Sequence, residues 1–208
     1  MTVAAALPEG FRLYSGLLDR PAQQGLANAV QDLLARAPVY HATMPKSGRP
    51  MSVAMTNAGR LGWYSDRAGG YRYVERHPQT GRPWPAIPAA ALAVWRQVAG
   101  YPHDPECCLV NLYRDAAKMG LHQDRDEAAL DAPVVSISLG DDALFRLGGT
   151  SRGGATRSLK LASGDVLVLG GAARLAYHGI DRILPGSSRL IAGGGRINLT
   201  LRRVTQPH

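Results

Sequence analysis

The 208-residue sequence predicts an α+β protein built around a mainly antiparallel β-barrel or sandwich. Two observations predict it. The C-terminal half divides into six short strand-like runs, Cys107–Tyr113, Val134–Leu139, Ala143–Leu147, Ser158–Leu161, Asp165–Leu169 and Arg196–Arg202, separated by Gly-rich or charged turns. Two stretches before them carry apolar residues at helical spacing instead. A hydrophobic content of 45% over this length suffices for one substantial core, and no linker or repeat marks a second, so residues 1–208 read as a single domain.

The first helix is expected over residues 22–36, where Leu26, Val30, Leu33 and Leu34 share a face, Pro21 suits the first turn and Pro38 follows the end. The second runs from Pro88 to Ala99, with Leu92, Trp95 and Val98 or Ala99 inward and Gly100 and Pro102 closing it. Between them, residues 46–85 are rich in Gly and Pro and carry Trp63, Tyr64, Tyr71, Tyr73 and Trp84. Seven basic residues (Lys46, Arg49, Arg60, Arg67, Arg72, Arg76 and Arg82) stand there against Asp66 and Glu75, which is five of the chain's eight net positive charges. Rings among cations suit stacked bases and phosphates, although a solvated, loop-rich surface would have the same composition.

Within the last strand, Ile197, Leu199 and Leu201 take one face and Arg196, Asn198, Thr200 and Arg202 the other. Asn111 and Tyr113 likewise share a face with Leu109. If the polar faces line the mouth of a barrel, two strands offer Arg, Asn and Tyr to a small anion; a sheet with one wet side would look the same. The loop 148–157 lacks the ending of a phosphate loop and reads as a hairpin tip with Arg152 at its apex.

The net charge of +8 and pI near 9.9 favour polyanionic partners. Cys107 and Cys108 are adjacent, too close for an ordinary disulfide, and are expected as reduced thiols. With no basic leader and no long apolar run, the chain is expected to be soluble and cytoplasmic.

The chemistry concentrates in residues 111–126. His122 and Asp124 form a His-x-Asp pair, whose side chains point the same way on an extended backbone. His178, 56 residues on, is the candidate third ligand. Two imidazoles and a carboxylate on one side of an ion leave the opposite positions open, the arrangement of non-haem Fe(II) oxygenases.

Met-Ser-Val-Ala-Met-Thr-Asn from Met51, Leu-Gly-Trp at Trp63, Pro-Gln-Thr-Gly-Arg-Pro-Trp-Pro from Pro78, Val-Ser-Ile-Ser-Leu-Gly from Val135 and Arg-Ile-Asn-Leu-Thr-Leu-Arg from Arg196 surround these residues. Over about Met51 to Arg203 the chain resembles the AlkB family of Fe(II)- and 2-oxoglutarate-dependent nucleic-acid demethylases. The resemblance implies a double-stranded β-helix (jelly-roll) core with flanking helices and an N-terminal nucleotide-recognition lid at about 46–85. It implies Fe(II) on His122, Asp124 and His178, with 2-oxoglutarate and O2 as cosubstrates. Arg202, with Tyr113 beside it, is expected at the distal carboxylate of 2-oxoglutarate, and Arg196, Asn111 and Asn198 at the metal-proximal end. Trp63, Tyr71, Asp126 and Arg152 match substrate positions, Asp126 facing the exocyclic amine of the base and His122 lying opposite Trp63. The implied reaction converts N1-methyladenine or N3-methylcytosine to the plain base, releasing formaldehyde, succinate and CO2. DNA is the implied partner, RNA is left open, and a monomer is the default. Gly193-Gly-Gly195 lengthens the turn before the last strand relative to the family pattern, which loosens the match at Arg196 more than at Arg202.

Other classes remain: an Fe(II)/2-oxoglutarate hydroxylase of protein or small molecules, a cupin-like module that binds metal without turnover, and a non-catalytic nucleic-acid-binding module. Stimulation of 2-oxoglutarate turnover by a methylated oligonucleotide, with formaldehyde release, separates the demethylase from all three.

Overall fold

The computed structural model describes residues 7–207. Twelve strands and two α-helices follow one another as β1 (Phe11–Tyr14), α1 (Arg20–Arg36), β2 (Ala54–Gly59), β3 (Gly62–Asp66), β4 (Gly70–Val74), α2 (Ala89–Val98), β5 (Cys107–Tyr113), β6 (Met119–His122), β7 (Val134–Gly140), β8 (Asp142–Leu147), β9 (Arg157–Leu161), β10 (Val166–Leu169), β11 (His178–Leu184) and β12 (Arg196–Arg202). A six-stranded sheet, ordered β1-β10-β7-β12-β5-β2, and a four-stranded sheet, ordered β6-β11-β8-β9, form the two halves of an antiparallel jelly roll. β3 and β4 form a separate hairpin.

Helix α1 starts two residues before the expected point. Asp19 caps it by accepting from the Ala22 amide at 2.9 Å, and Leu26, Val30 and Leu33 are buried while Leu34 is only half-buried. Helix α2 buries Ala91, Val94, Trp95 and Val98, so its inner stripe is rotated from the expectation and leaves Leu92 half-exposed. Trp95 is fully buried and donates to the His103 carbonyl at 3.0 Å, a core residue rather than a site residue. Helices α1 and α2 pack against each other, and α2 meets β7.

Strands β5 and β12 occupy the stretches the alternation predicts, and they pair directly: Arg196 opposite Tyr113, Asn198 opposite Asn111 and Arg202 opposite Cys107. On its other side β12 pairs β7, setting Asn198 opposite Ser138 and Thr200 opposite Ser136. Three neighbouring strands thus present one polar face within an apolar sheet.

The stretch expected as a lid is not uniform. Residues 54–59 form β2, an edge strand of the core sheet hydrogen-bonded to β5, with Met55 through Ala58 buried. Trp84 is buried too and donates to the Val74 carbonyl at 2.8 Å, so it packs the base of the hairpin. Only the β3–β4 hairpin remains as a separate unit. Among the described residues no helix is long and apolar enough to cross a membrane. Cys107 and Cys108 are free and buried, and burial pushes the Cys107 thiol up to about 12.

Candidate active site

His122 ends β6 and His178 begins β11, and the two strands pair with these residues opposite each other. Gly179 permits the approach, because a Cβ there would stand 2.4 Å from the Met119 carbonyl oxygen. Asp124 follows on the chain segment after β6. One ligand atom from each of His122, Asp124 and His178 lies within 4.8 Å of the others. Both imidazole Nε2 atoms are 3.7 Å from the Asp124 carboxylate.

Each imidazole is oriented by its own chain. His122 Nδ1 meets the Gly120 carbonyl at 2.9 Å and His178 Nδ1 the Ala176 carbonyl at 2.9 Å. A carbonyl only accepts, so Nδ1 carries a proton, and in the neutral ring Nε2 is the nitrogen whose lone pair can meet a metal. Burial pushes the His178 imidazole down to about 4, helped by His122 and opposed by Asp124. Burial would raise the Asp124 carboxyl, but the Arg202 guanidinium and then the two histidines outweigh it and hold it below the usual carboxylate range. A neutral His178 beside an anionic Asp124 is the protonation pattern a divalent cation needs.

The polar face of β5, β7 and β12 leads away from these ligands. Arg202 Nη2 donates to Asp124 Oδ1 at 2.8 Å, so Arg202 stands at the metal end. Arg196 lies at the opposite end of β12, donating to Ser138 Oγ at 2.7 Å and to the Asp141 and Leu161 carbonyls. The two arginines are therefore ordered opposite to the sequence expectation. Alternation places both on one face, but which end meets the metal is decided by where the Asp124 segment crosses the barrel mouth. Arg196 is buried with no carboxylate in ion-pair range among the described residues, and desolvation pushes it down to about 10. Tyr113 is buried opposite it. Asn198 satisfies itself internally, with Ser136 Oγ, the Ile137 carbonyl and Thr200 Oγ1 as partners.

Towards solvent, the hairpin carries Trp63 and Tyr71 stacked at 5.7 Å between ring centroids, and Trp63 Nε1 donates to Asp126 Oδ2 at 3.0 Å. Asp126 is exposed while its neighbours in the acidic run, Asp124 and Glu127, are buried. Arg152 is on the exposed β8–β9 loop, in hydrogen-bond contact with none of these groups; Gln123 Nε2 reaches that loop at the Thr150 carbonyl, 3.3 Å away.

With this geometry in view, a sequence profile for the 2OG-Fe(II) oxygenase superfamily matches residues 10–202. The alpha-ketoglutarate-dependent dioxygenase AlkB homolog of Caulobacter vibrioides is 61% identical over 194 residues, 93% of this chain and 87% of that protein. The chain belongs to the AlkB family. AlkB of Escherichia coli is 43% identical over 186 residues, covering 88% of this chain and 85% of its own length. The solved structure of OsALKBH1 superposes with a TM-score of 0.76 at 31% identity, over 95% of this chain and 100% of that one. As an AlkB-family protein the chain is an Fe(II)- and 2-oxoglutarate-dependent dioxygenase, using O2 as cosubstrate.

The residues fit that chemistry. Among the described residues the buried side-chain polar atoms without a hydrogen-bond partner are Asn111 Oδ1, Asp124 Oδ2, Arg196 Nε, and Arg202 Nε and Nη1. All belong to the ligand set or the polar face, where a cation and a dianion would satisfy them. Sequence reasoning missed Ser136 and Ser138, which brace Asn198 and Arg196; the alternation in Val-Ser-Ile-Ser-Leu was the available signal. It also missed Glu127 and Arg174. Arg174 donates to the Asp124 and Ala132 carbonyls and to Glu127 Oε2, and no local pattern distinguishes it from a surface arginine.

The depressed His178 value gives the metal-stripped AlkB-family protein a defined pH dependence. The folded state binds fewer protons at His178 than the unfolded chain, so stability is greatest above about pH 6.5 and falls as pH drops from there to about 4. The shift corresponds to roughly 3 kcal/mol. Asp124 acts in the same direction at more acid pH. Denaturant melts of chelator-treated protein across this window measure the slope; a flat profile would contradict a neutral, buried His178.

Proposed function

We infer that the protein carries out oxidative demethylation of N-alkylated bases, N1-methyladenine and N3-methylcytosine, in DNA, as a direct repair of alkylation damage. Supporting this is the family membership together with one observation: an aromatic pair tied to a carboxylate, Trp63–Tyr71 with Asp126, stands on the hairpin beside the ligand set. A relative named as a DNA N(6)-methyladenine demethylase, ALKBH1D of Arabidopsis thaliana, is 40% identical over 108 residues, 47% of this chain and 24% of that protein, and supports a methylated nucleobase as the substrate class.

His122, Asp124 and His178 would hold Fe(II), leaving the opposite side for the cosubstrate and O2. When bound, the iron supplies the oxidation of an N-methyl to an N-hydroxymethyl group at the expense of 2-oxoglutarate, which becomes succinate and CO2. Arg196, buried without an anion and flanked by Tyr113, binds the distal carboxylate of 2-oxoglutarate. Arg202 and Asn111 serve the metal-proximal end. Trp63 and Tyr71 stack on the extruded base, and methylation at a pairing nitrogen lowers the cost of extrusion. Both lesions are cations, so a ring face and the Asp126 carboxylate favour them over neutral bases. The hydroxymethyl adduct is an unstable hemiaminal that loses formaldehyde, so no side chain need act as general acid.

Exposed Lys46, Arg49, Arg67, Arg76 and Arg82 surround the hairpin and suit phosphates, whereas Arg60 and Arg72 are paired to Glu106 and Asp66. The buried, reduced cysteines favour a cytoplasmic setting, and a monomer suffices for the site.

The function is tested by measuring succinate and formaldehyde with and without methylated oligonucleotide; formaldehyde-free turnover that the oligonucleotide does not stimulate would remove it. A second test addresses charge reading. Asp126→Asn keeps an acceptor for Trp63 Nε1 and loses only the charge, so the ratio of N1-methyladenine demethylation to uncoupled 2-oxoglutarate turnover is expected to fall about tenfold, roughly the 1.4 kcal/mol of one charge-assisted contact. Trp63→Ala should instead weaken every base by about 1–3 kcal/mol. Wild-type kcat/KM for N1-methyladenine in Asp126→Asn would leave selectivity to shape alone.

A further inference from the structure

Behind the ligand set lies a buried ion cluster in which Asp124 and Arg202 meet two residues the chemistry above does not use, Glu127 and Arg174. Glu127 is its hub. Its Oε1 accepts a short hydrogen bond from the Tyr73 hydroxyl, and its Oε2 accepts from Arg174 Nη2 at 3.1 Å. Arg202 Nε stands 3.6 Å from Oε1, within ion-pair reach but without a hydrogen bond. The same two arginines hold Asp124, Arg202 by its carboxylate and Arg174 by its backbone carbonyl. Each of these four charged side chains is 6% exposed or less. Two carboxylates balance two guanidinium groups, so no member can be lost without leaving a buried charge unpaired.

Tyr73 belongs to the base-side hairpin. It is the register partner of Trp63 and shares a strand face with Tyr71. Burial pushes its hydroxyl well above the usual tyrosine value, so the oxygen keeps the proton it donates. That donation occupies the Glu127 oxygen nearest Arg202. With the hydroxyl gone, Oε1 becomes the natural acceptor for Arg202 Nε, since guanidinium-to-carboxylate bonds are about twice as strong as neutral ones. The guanidinium would then turn towards Glu127, reorienting Nη1, which has no hydrogen-bond partner within the protein.

We propose that Glu127 is a positioning residue through which Tyr73 of the β3–β4 hairpin sets the orientation of Arg202 and hence the affinity for 2-oxoglutarate. The proposal rests on the reading of Arg202 as a cosubstrate residue beside Asp124.

The test is a double-substitution cycle read by calorimetric binding of 2-oxoglutarate to the Mn²⁺-loaded full chain. Tyr73→Phe is expected to weaken binding about 3- to 10-fold when Glu127 is present, and by less than about 1.5-fold in a Glu127→Gln background. Equal factors in both backgrounds, or no effect of Tyr73→Phe at all, would overturn the relay. Thermal melts of the metal-free single and double variants should show the same non-additivity without any ligand; strictly additive melting shifts count against it. Glu127→Asp, too short to serve Tyr73 and Arg174 together, is the second background if Glu127→Gln does not fold. An Asp124→Asn control that still binds Mn²⁺ normally would overturn the ligand assignment itself, and this proposal with it.

Discussion

Asp124→Asn is expected to abolish demethylation and to lower affinity for a divalent cation by more than the roughly 100-fold that loss of an outer partner costs. The substitution keeps volume and one oxygen but removes the only anionic ligand in the set. Two imidazoles remain, of which His122 is 38% exposed along its side chain and cannot exclude water. The protein should also lose stability on the order of 3 kcal/mol, because the charge that balances Arg202 at 2.8 Å is gone and Glu127 at 3.6 Å is its only remaining carboxylate. Calorimetric titration with Ni²⁺, which occupies such ligands without running the O2 reaction, separates lost binding from lost chemistry. Native Ni²⁺ affinity in Asp124→Asn would remove Asp124 from the metal site.

The second large effect concerns Arg196. Replacing it with Met fills much of the same volume with no charge, so the distal carboxylate of 2-oxoglutarate should find no cation at the far end of β12. Wild-type protein is expected to prefer 2-oxoglutarate over 2-oxovalerate, which has a methyl group in place of that carboxylate, by at least about 100-fold in kcat/KM, the scale of a buried bidentate ion pair. Arg196→Met should narrow the preference by more than about tenfold, with metal affinity retained. Arg202→Lys should lower turnover of both acids and leave the preference in place, since Lys keeps the charge but loses the planar fork that spans Asp124 and the pocket. The opposite pattern, with the preference collapsing in Arg202→Lys and surviving in Arg196→Met, would restore the order expected from sequence.

That reversal marks where sequence reading stops. Strict alternation in Arg196-Ile-Asn-Leu-Thr-Leu-Arg202 defines a strand and its two faces, and the structure gives the same strand end to end. The run Cys107–Tyr113 behaves identically, and four other strands differ from expectation by one residue at an end. Phe11–Tyr14, Ala54–Gly59, Gly62–Asp66, Gly70–Val74, Met119–His122 and His178–Leu184 went unread. Ala-Met-Thr-Asn-Ala-Gly has little strand propensity and becomes a strand because β5 supplies hydrogen bonds and the core covers it. His178–Leu184 alternates poorly because Asp181 and Arg182 face solvent at a register shift.

By itself the sequence determined the elements with strong periodicity, the two-residue spacing that lets His122 and Asp124 converge, the shared polar face of Asn111, Tyr113, Arg196 and Arg202, and the family to which the chain belongs. Only the tertiary structure decided which arginine stands at the metal end, that residues 54–59 are core rather than lid, that Trp84 is packing, and that Glu127 and Arg174 form the ion cluster behind Asp124. The physical reason is that periodicity reports which face a side chain takes on its own strand. Where that face lies along the barrel, and whether a charge on it is buried against another, depends on contacts between residues 47 to 78 positions apart in the chain, and the sequence carries no local trace of them.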